Sequence, residues 1–167
     1  MDHQNSPAVA DAMEIVHTLR SATVQLMLHS AEFAQRNGMH PTDVRALAAL
    51  MDAVRAGEPM TAGRLGKELG LNSAGTTAAV DRLERAGHVR RVRDPEDRRR
   101  VLVEVTEGAV TLGQEHFGPL IDAAVDLLHG YSEQERTAVR GFLDGVRRAA
   151  TPSHTRSRTV RRPARPR

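Results

Sequence analysis

Arginine is the residue type through which this chain could do most of its chemistry. Between Arg82 and Arg100 stand eight arginines against Glu84, Asp94, Glu96 and Asp97, a local charge of +4. A guanidinium is a planar fork of donors suited to phosphate and base edges, so a focused group of them on one stretch points to an oriented polyanion partner. The formal net charge is +3. Six arginines between His154 and Arg167, with no acid among them, leave the rest of the chain at −3. The positive stretch therefore sits on a mildly acidic body.

Other chemistries find little support. With no cysteine, disulfides, thiolate metal sites and cysteine nucleophiles are excluded. His17, His29, His40, His88, His116 and His129 stand singly, without the H-x₃-H or HExxH spacing of a metal helix, and are read as structural or surface histidines. Asp94, Glu96 and Asp97 flank Pro95, where Asp serves backbone bonds of a turn, and they are read as a turn and not as a cation site. Gly66-Lys67 fails as a phosphate loop, because position 61 is Thr and Glu68 stands where Ser or Thr is required. No nucleophile with its base and no cofactor loop is found, so an enzyme is not expected, and neither a cofactor nor a metal is assigned. The opening segment has no basic region followed by an apolar run, and nowhere do eighteen apolar residues follow one another, so a soluble cytoplasmic protein without a membrane partner is expected.

The elements that carry these residues follow from period and punctuation. Val9, Met13, Val16, Leu19, Thr23, Leu26, Ser30 and Ala34 step by three and four, predicting one long helix ended by Asn37-Gly38. Pro41-Thr42-Asp43 opens a second, with Val44, Leu47, Ala48, Met51 and Val54 on one face. Thr61 caps a short third helix to Leu69, with Gly70 after it, and Asn72 or Ser73 caps a fourth, closed by Gly87. Two short helices joined by a tight turn make a helix-turn-helix. The period then changes to alternation at Val101, Val103 and Val105, predicting a β-hairpin over about 88–105. Thr106 caps a fifth helix, which Gly118-Pro119 should kink, and Ser132-Glu133-Gln134-Glu135 fits a capping box for a sixth with Val139, Phe142, Leu143 and Val146 as its stripe. From Thr151 onward Pro, Ser, Thr and Arg without apolar period predict a disordered basic tail.

If Thr76, Ala79, Val80 and Leu83 face inward on the fourth helix, then Ser73, Gly75, Thr77, Ala78 and Arg82 are left on the opposite face. Ser73 and Thr77 can bond phosphates or base edges, Ala78 and the Thr77 methyl suit thymine methyls, and Arg82 suits guanine or phosphate. Arg98, Arg99 and Arg100 lie just beyond the hairpin turn, where guanidinium groups reach a narrow minor groove.

The element order and residues 65–109, LGKELGLNSAGTTAAVDRLERAGHVRRVRDPEDRRRVLVEVTEGA, resemble the MarR family of bacterial transcription regulators. The resemblance is most specific in the recognition-helix region and in Asp97-x-Arg99 followed by Val105-Thr106, and extends by pattern over roughly residues 8–150. It implies a mainly α fold with a small β-hairpin wing: one domain over 1–150, with a winged helix-turn-helix at about 41–105 between dimerisation helices at about 8–37 and 107–150. It implies a homodimer that meets two half-sites of a palindromic double-stranded DNA operator, roughly 10 base pairs apart. Arg99 is then the inserted residue and Asp97 the residue that holds it. The expected DNA-binding set is Asn72, Ser73, Gly75, Thr77, Ala78, Arg82, Asp97, Arg98 and Arg99. Repression is the expected sign, and a small-molecule effector is expected in an aliphatic pocket, the chain having one Tyr, three Phe and no Trp. The competing reading, a winged-helix interaction adaptor without specific DNA binding, has the clustered arginines against it.

Overall fold

A computed structural model describes residues 7–150, so the tail expected from Thr151 lies outside the described residues. Six helices and one hairpin follow in order: α1 (Pro7–Arg36), α2 (Pro41–Ala56), α3 (Ala62–Leu69), α4 (Ser73–Arg85), β1 (Val89–Arg93), β2 (Val101–Val105), α5 (Glu107–His129) and α6 (Glu133–Ala150). The chain divides into two compact units between Gly118 and Pro119. That division falls inside α5, which stays helical through Pro119 although proline has no N–H to return to Glu115. No helix among the described residues is long and apolar enough to cross a membrane.

The first unit is built around a small aliphatic core. Leu50 of α2, Leu65 of α3, and Val80 and Leu83 of α4 are each at most 1% exposed. Val89 and Val103 of the hairpin, with Met60 and Ala109, complete the cluster. The buried face of α2 is Asp43, Val44, Ala46, Leu47, Ala49, Leu50 and Ala53. The stripe expected from the sequence is rotated from this one: Val54 is 68% exposed, and Ala48 also lies at the surface. The reason is that α2 is apolar around most of its circumference, so its period does not select a face, and the helices packed on it do.

Helix boundaries follow the predicted punctuation. Thr61 Oγ1 accepts from the Arg64 N–H, and Gly70, at φ 67°, closes α3 in the left-handed conformation that a side chain would resist. Asn72 caps α4, its Oδ1 accepting from the Gly75 N–H at 2.8 Å. The strands pair antiparallel with Val89 opposite Val105 and Arg93 opposite Val101. An isolated bridge from Thr61 to Leu102, with the Val103 N–H donating to Met60 O at 2.8 Å, fastens the hairpin to the start of α3. Leu102 is accordingly buried, although alternation alone turns it outward. Thr106 Oγ1 accepts from the Ala109 N–H and donates to Gly87 O, capping α5 and tying it to the start of the hairpin.

In the second unit the Ser132 capping box forms as expected. Glu135 Oε2 accepts from the Ser132 N–H and hydroxyl, both at 2.7 Å, while Ser132 Oγ accepts from the Glu135 N–H. The Ser132 hydroxyl, then its N–H, hold the Glu135 carboxyl below its usual pKa. A depressed folded-state pKa contributes stability above the unfolded value and loses it as the pH falls through the folded one. Acidification through that range is therefore expected to loosen the start of α6. The Ser132 amide resonance and its exchange protection should follow the titration, and Glu135→Gln should remove the pH dependence; an amide indifferent to pH in the parent would show the box to be dispensable.

Candidate nucleic-acid interface

The face of α4 turned away from the core is small and polar. Thr76, Ala79, Val80 and Leu83 are buried, as the period requires. Ser73, Ala74, Thr77 and Ala78 are exposed, and Gly75 is half-buried. Asn72 is exposed at the N-cap with its Oδ1 committed to Gly75. Gly75 has little room for a side chain, since a Cβ there would meet Asn72 Oδ1 at 3.2 Å. Position 75 thus lets the capping amide close over the first turn, a local role beside any contact it makes outward.

Arg82 is held by α2. Its Nε donates to Asp43 Oδ2 at 2.9 Å and its Nη2 to Oδ1 at 2.5 Å, a bidentate pair on a carboxylate whose side chain is 5% exposed. Asp43 raises the Arg82 pKa, and the guanidinium remains charged. The pair locks the C-terminal half of α4 to the start of α2, so Arg82 orients the helix and must release Asp43 to reach a base. Removing it strands a buried carboxylate. Arg82→Ala is expected to cost about 1–3 kcal/mol, below the full cost of breaking a buried pair because the Arg82 side chain is 40% exposed. Urea unfolding measures this, and an unchanged midpoint would refute it.

The wing sorts its arginines into two groups. Arg91 bridges to Asp81 at 2.5 Å and to Glu84, tying β1 to α4. Arg90 pairs with Glu104 across the hairpin at 2.9 Å, and Arg100 with Asp94 at 3.3 Å. These, with Arg82, spend their charge inside the fold. Arg85, Arg93, Arg98 and Arg99 are exposed and have no carboxylate partner among the described residues. Of these, Arg85 and Arg93 were not in the set expected from the sequence. Only the carboxylate partners of their neighbours separate them from Arg90 and Arg91, and those partners lie on other elements.

The loop that carries Arg98 and Arg99 is organised by two aspartates. Asp94 is 4% exposed and its Oδ1 accepts from the N–H groups of Glu96 and Asp97. The Asp94 N–H donates to Arg100 O at 3.1 Å, closing the loop at its base. Asp97 Oδ1 accepts from the Arg99 N–H at 3.0 Å, and its carbonyl accepts from the Arg100 N–H. Asp97 therefore holds Arg99 by the backbone, leaving the guanidinium free. Asp94 Oδ1 and Asp97 Oδ1 are thus spent on the loop's own N–H groups.

A short helix, a tight turn and a second helix with an exposed polar face, continued into a two-stranded hairpin whose loop carries unpaired arginines, make this a winged helix-turn-helix protein. A sequence model of the MarR family matches residues 37–100. The uncharacterized HTH-type transcriptional regulator YcgE of Bacillus subtilis (strain 168) is 39% identical over 132 residues, covering 79% of this chain and 81% of its own. The chain belongs to the MarR family and is a transcription regulator. Two solved structures share the fold. A MarR family protein from Bacillus stearothermophilus is 24% identical, with a TM-score of 0.60 over 86% of this chain and 97% of that one. The S. aureus MepR–DNA complex is 16% identical, with a TM-score of 0.53 over 80% of this chain and 98% of that one.

Proposed function

We propose that the chain is a cytoplasmic repressor that binds an inverted-repeat operator as a homodimer, with α4 in the major groove and the loop of residues 94–100 at the minor groove. One observation carries this reading: the outward face of α4 is small and polar, and the same unit presents Arg98 and Arg99 without internal partners. Ser73, Thr77 and Ala78 are then the base-reading positions, with few long side chains, so sequence-dependent DNA shape supplies much of the specificity. Asn72, Gly75, Arg82 and Asp97 set the reading surface in place.

Dimerisation is supported by apolar faces that remain uncovered. On α1, Met13, Ile15, Val16, Val24, Leu26, Met27 and Leu28 are each at least 45% exposed. On the second half of α5, Ile121 and Leu127 are 51% and 71% exposed, and α6 buries no residue. Exposed apolar surface of this kind marks an interaction site. Response to a small-molecule effector enters the reading through the family alone.

The experiment is binding of the purified protein, and of a chain ending at Ala150, to DNA upstream of its own gene and to a scrambled control at low and physiological salt. Preference for the upstream DNA that survives both shortening and physiological salt supports the proposal. Equal binding to both DNAs, lost on shortening, assigns the affinity to the basic residues after Thr151 and favours the adaptor reading.

A further inference from the structure

Two histidines that stand 87 residues apart in sequence meet at the junction of α1 with the first half of α5. The rings of His29 and His116 stack with centroids 4.2 Å apart. Glu32, three residues after His29, is on the same face of α1. A ligand atom from each of His29, Glu32 and His116 lies within 4.8 Å of those of the other two. Phe33 and Phe117 pack against the histidine rings, so the group has an apolar wall on one side and water on the Glu32 side.

Two further observations bear on what this group can hold. His116 Nε2 lies 3.2 Å from His29 O. A carbonyl only accepts, so Nε2 carries the proton, and in the neutral ring Nδ1 has the free lone pair. A metal-ligating histidine is oriented in this way, by donating its other N–H to a backbone carbonyl. His29 Nε2 is buried and has no hydrogen-bond partner among the described residues. A buried polar atom without a partner costs free energy, and a bound ion would relieve that cost.

We infer that His29, Glu32 and His116 form a binding site for a divalent transition-metal ion of the zinc class. Two imidazoles and a carboxylate are a donor set for such an ion, and the fourth position is left to water. Ligands about 2.0–2.1 Å from one tetrahedral ion stand about 3.3 Å apart. From at most 4.8 Å, closure takes side-chain rotation that unstacks the two rings and frees Glu32 from its ion pair with Arg36 at 2.5 Å. The bound ion would fasten the last turns of α1 to α5, elements otherwise joined there by aromatic packing.

The test uses the full chain, freed of metal and titrated with Co2+ and then Zn2+. The expected result is one Co2+ per chain with visible ligand-field absorption, displaced by Zn2+. Glu32→Gln, an exposed change that leaves packing alone, should weaken binding roughly tenfold or more, and His29→Gln and His116→Gln should abolish stoichiometric binding. His129→Gln should bind as the parent does. Circular dichroism establishes whether the histidine variants remain folded; if they do not, Glu32→Gln decides. Parent-like binding by Glu32→Gln, parent-like binding by a folded histidine variant, or no ion bound by the parent at tenfold excess overturns the site.

Discussion

Replacing Arg98 and Arg99 together by alanine is expected to weaken operator binding by at least about a hundredfold and to flatten its salt dependence. Neither guanidinium has an acidic partner among the described residues, and the Asp97 carboxylate engages only the backbone N–H of Arg99. On the proposed reading their loss removes DNA contacts, and it leaves no buried charge behind. Each arginine contact is worth about 1–3 kcal/mol, and a dimer carries both changes twice. Because each neutralised phosphate contributes about 0.9 to the slope of log K against log salt, losing such contacts reduces the slope by a comparable amount per arginine. Arg90→Ala is the matched control. It removes one positive charge from the hairpin, half of what the double variant removes, but Arg90 already pairs with Glu104, so an effect much smaller than half is expected. Fluorescence anisotropy across a salt series reads both quantities. Equal losses of binding free energy per charge removed in the double variant and in Arg90→Ala would mean that general positive charge, and not the loop, binds DNA.

Alanine at Gly66 is expected to destabilise the helix-turn-helix by about 1–3 kcal/mol, the usual cost of forcing extra volume into a packed core. A Cβ built at Gly66 would lie 2.4 Å from Thr76 Oγ1, which is buried and donates to Asn72 O at 2.9 Å. That hydroxyl belongs to a stiff β-branched side chain and cannot swing clear, so α3 and α4 must separate. Gly63→Ala, in the same helix, meets nothing within 4 Å and should stabilise by about 0.5–1 kcal/mol, as alanine does in an open helix position. Two identical substitutions one turn apart thus carry opposite signs. The destabilised variant should melt lower by roughly 2–4 °C per kcal/mol, and Thr76→Ala in its background should recover part of the loss. A Gly66→Ala protein as stable as the parent would contradict the close approach of the two helices. If Gly66→Ala weakens DNA binding while the fold persists, the spacing of α3 and α4 is what positions the reading face.

Much of this architecture was legible in the residues. Caps and breakers act within a turn of themselves, so Thr61, Asn72, Gly70, Thr106 and the Ser132–Glu135 box mark their helix ends without help from the rest of the chain. The inward set of α4 was equally readable, because Thr76, Ala79, Val80 and Leu83 are separated by exposed small or polar residues and leave one choice of face. On α2 the same reasoning found Val44 and Leu47 of the buried face but wrongly added Ala48 and Val54, since alanines and aliphatic residues nearly encircle that helix. Pattern cannot choose where every face is apolar.

What the sequence by itself determined is local: the succession of helices, turn and hairpin, the outward face of α4, and the concentration of arginine around the wing. Which of those arginines are free was decided only by tertiary structure, because Arg82 and Arg91 find their carboxylates on other elements or around a turn. The approach of Gly66 to Thr76 and the meeting of His29 with His116 were decided in the same way. Spacing along the chain reports on neighbours within one element. Ion pairs, close helix contacts and ligand sets form between elements, and only the packing of the core brings those together.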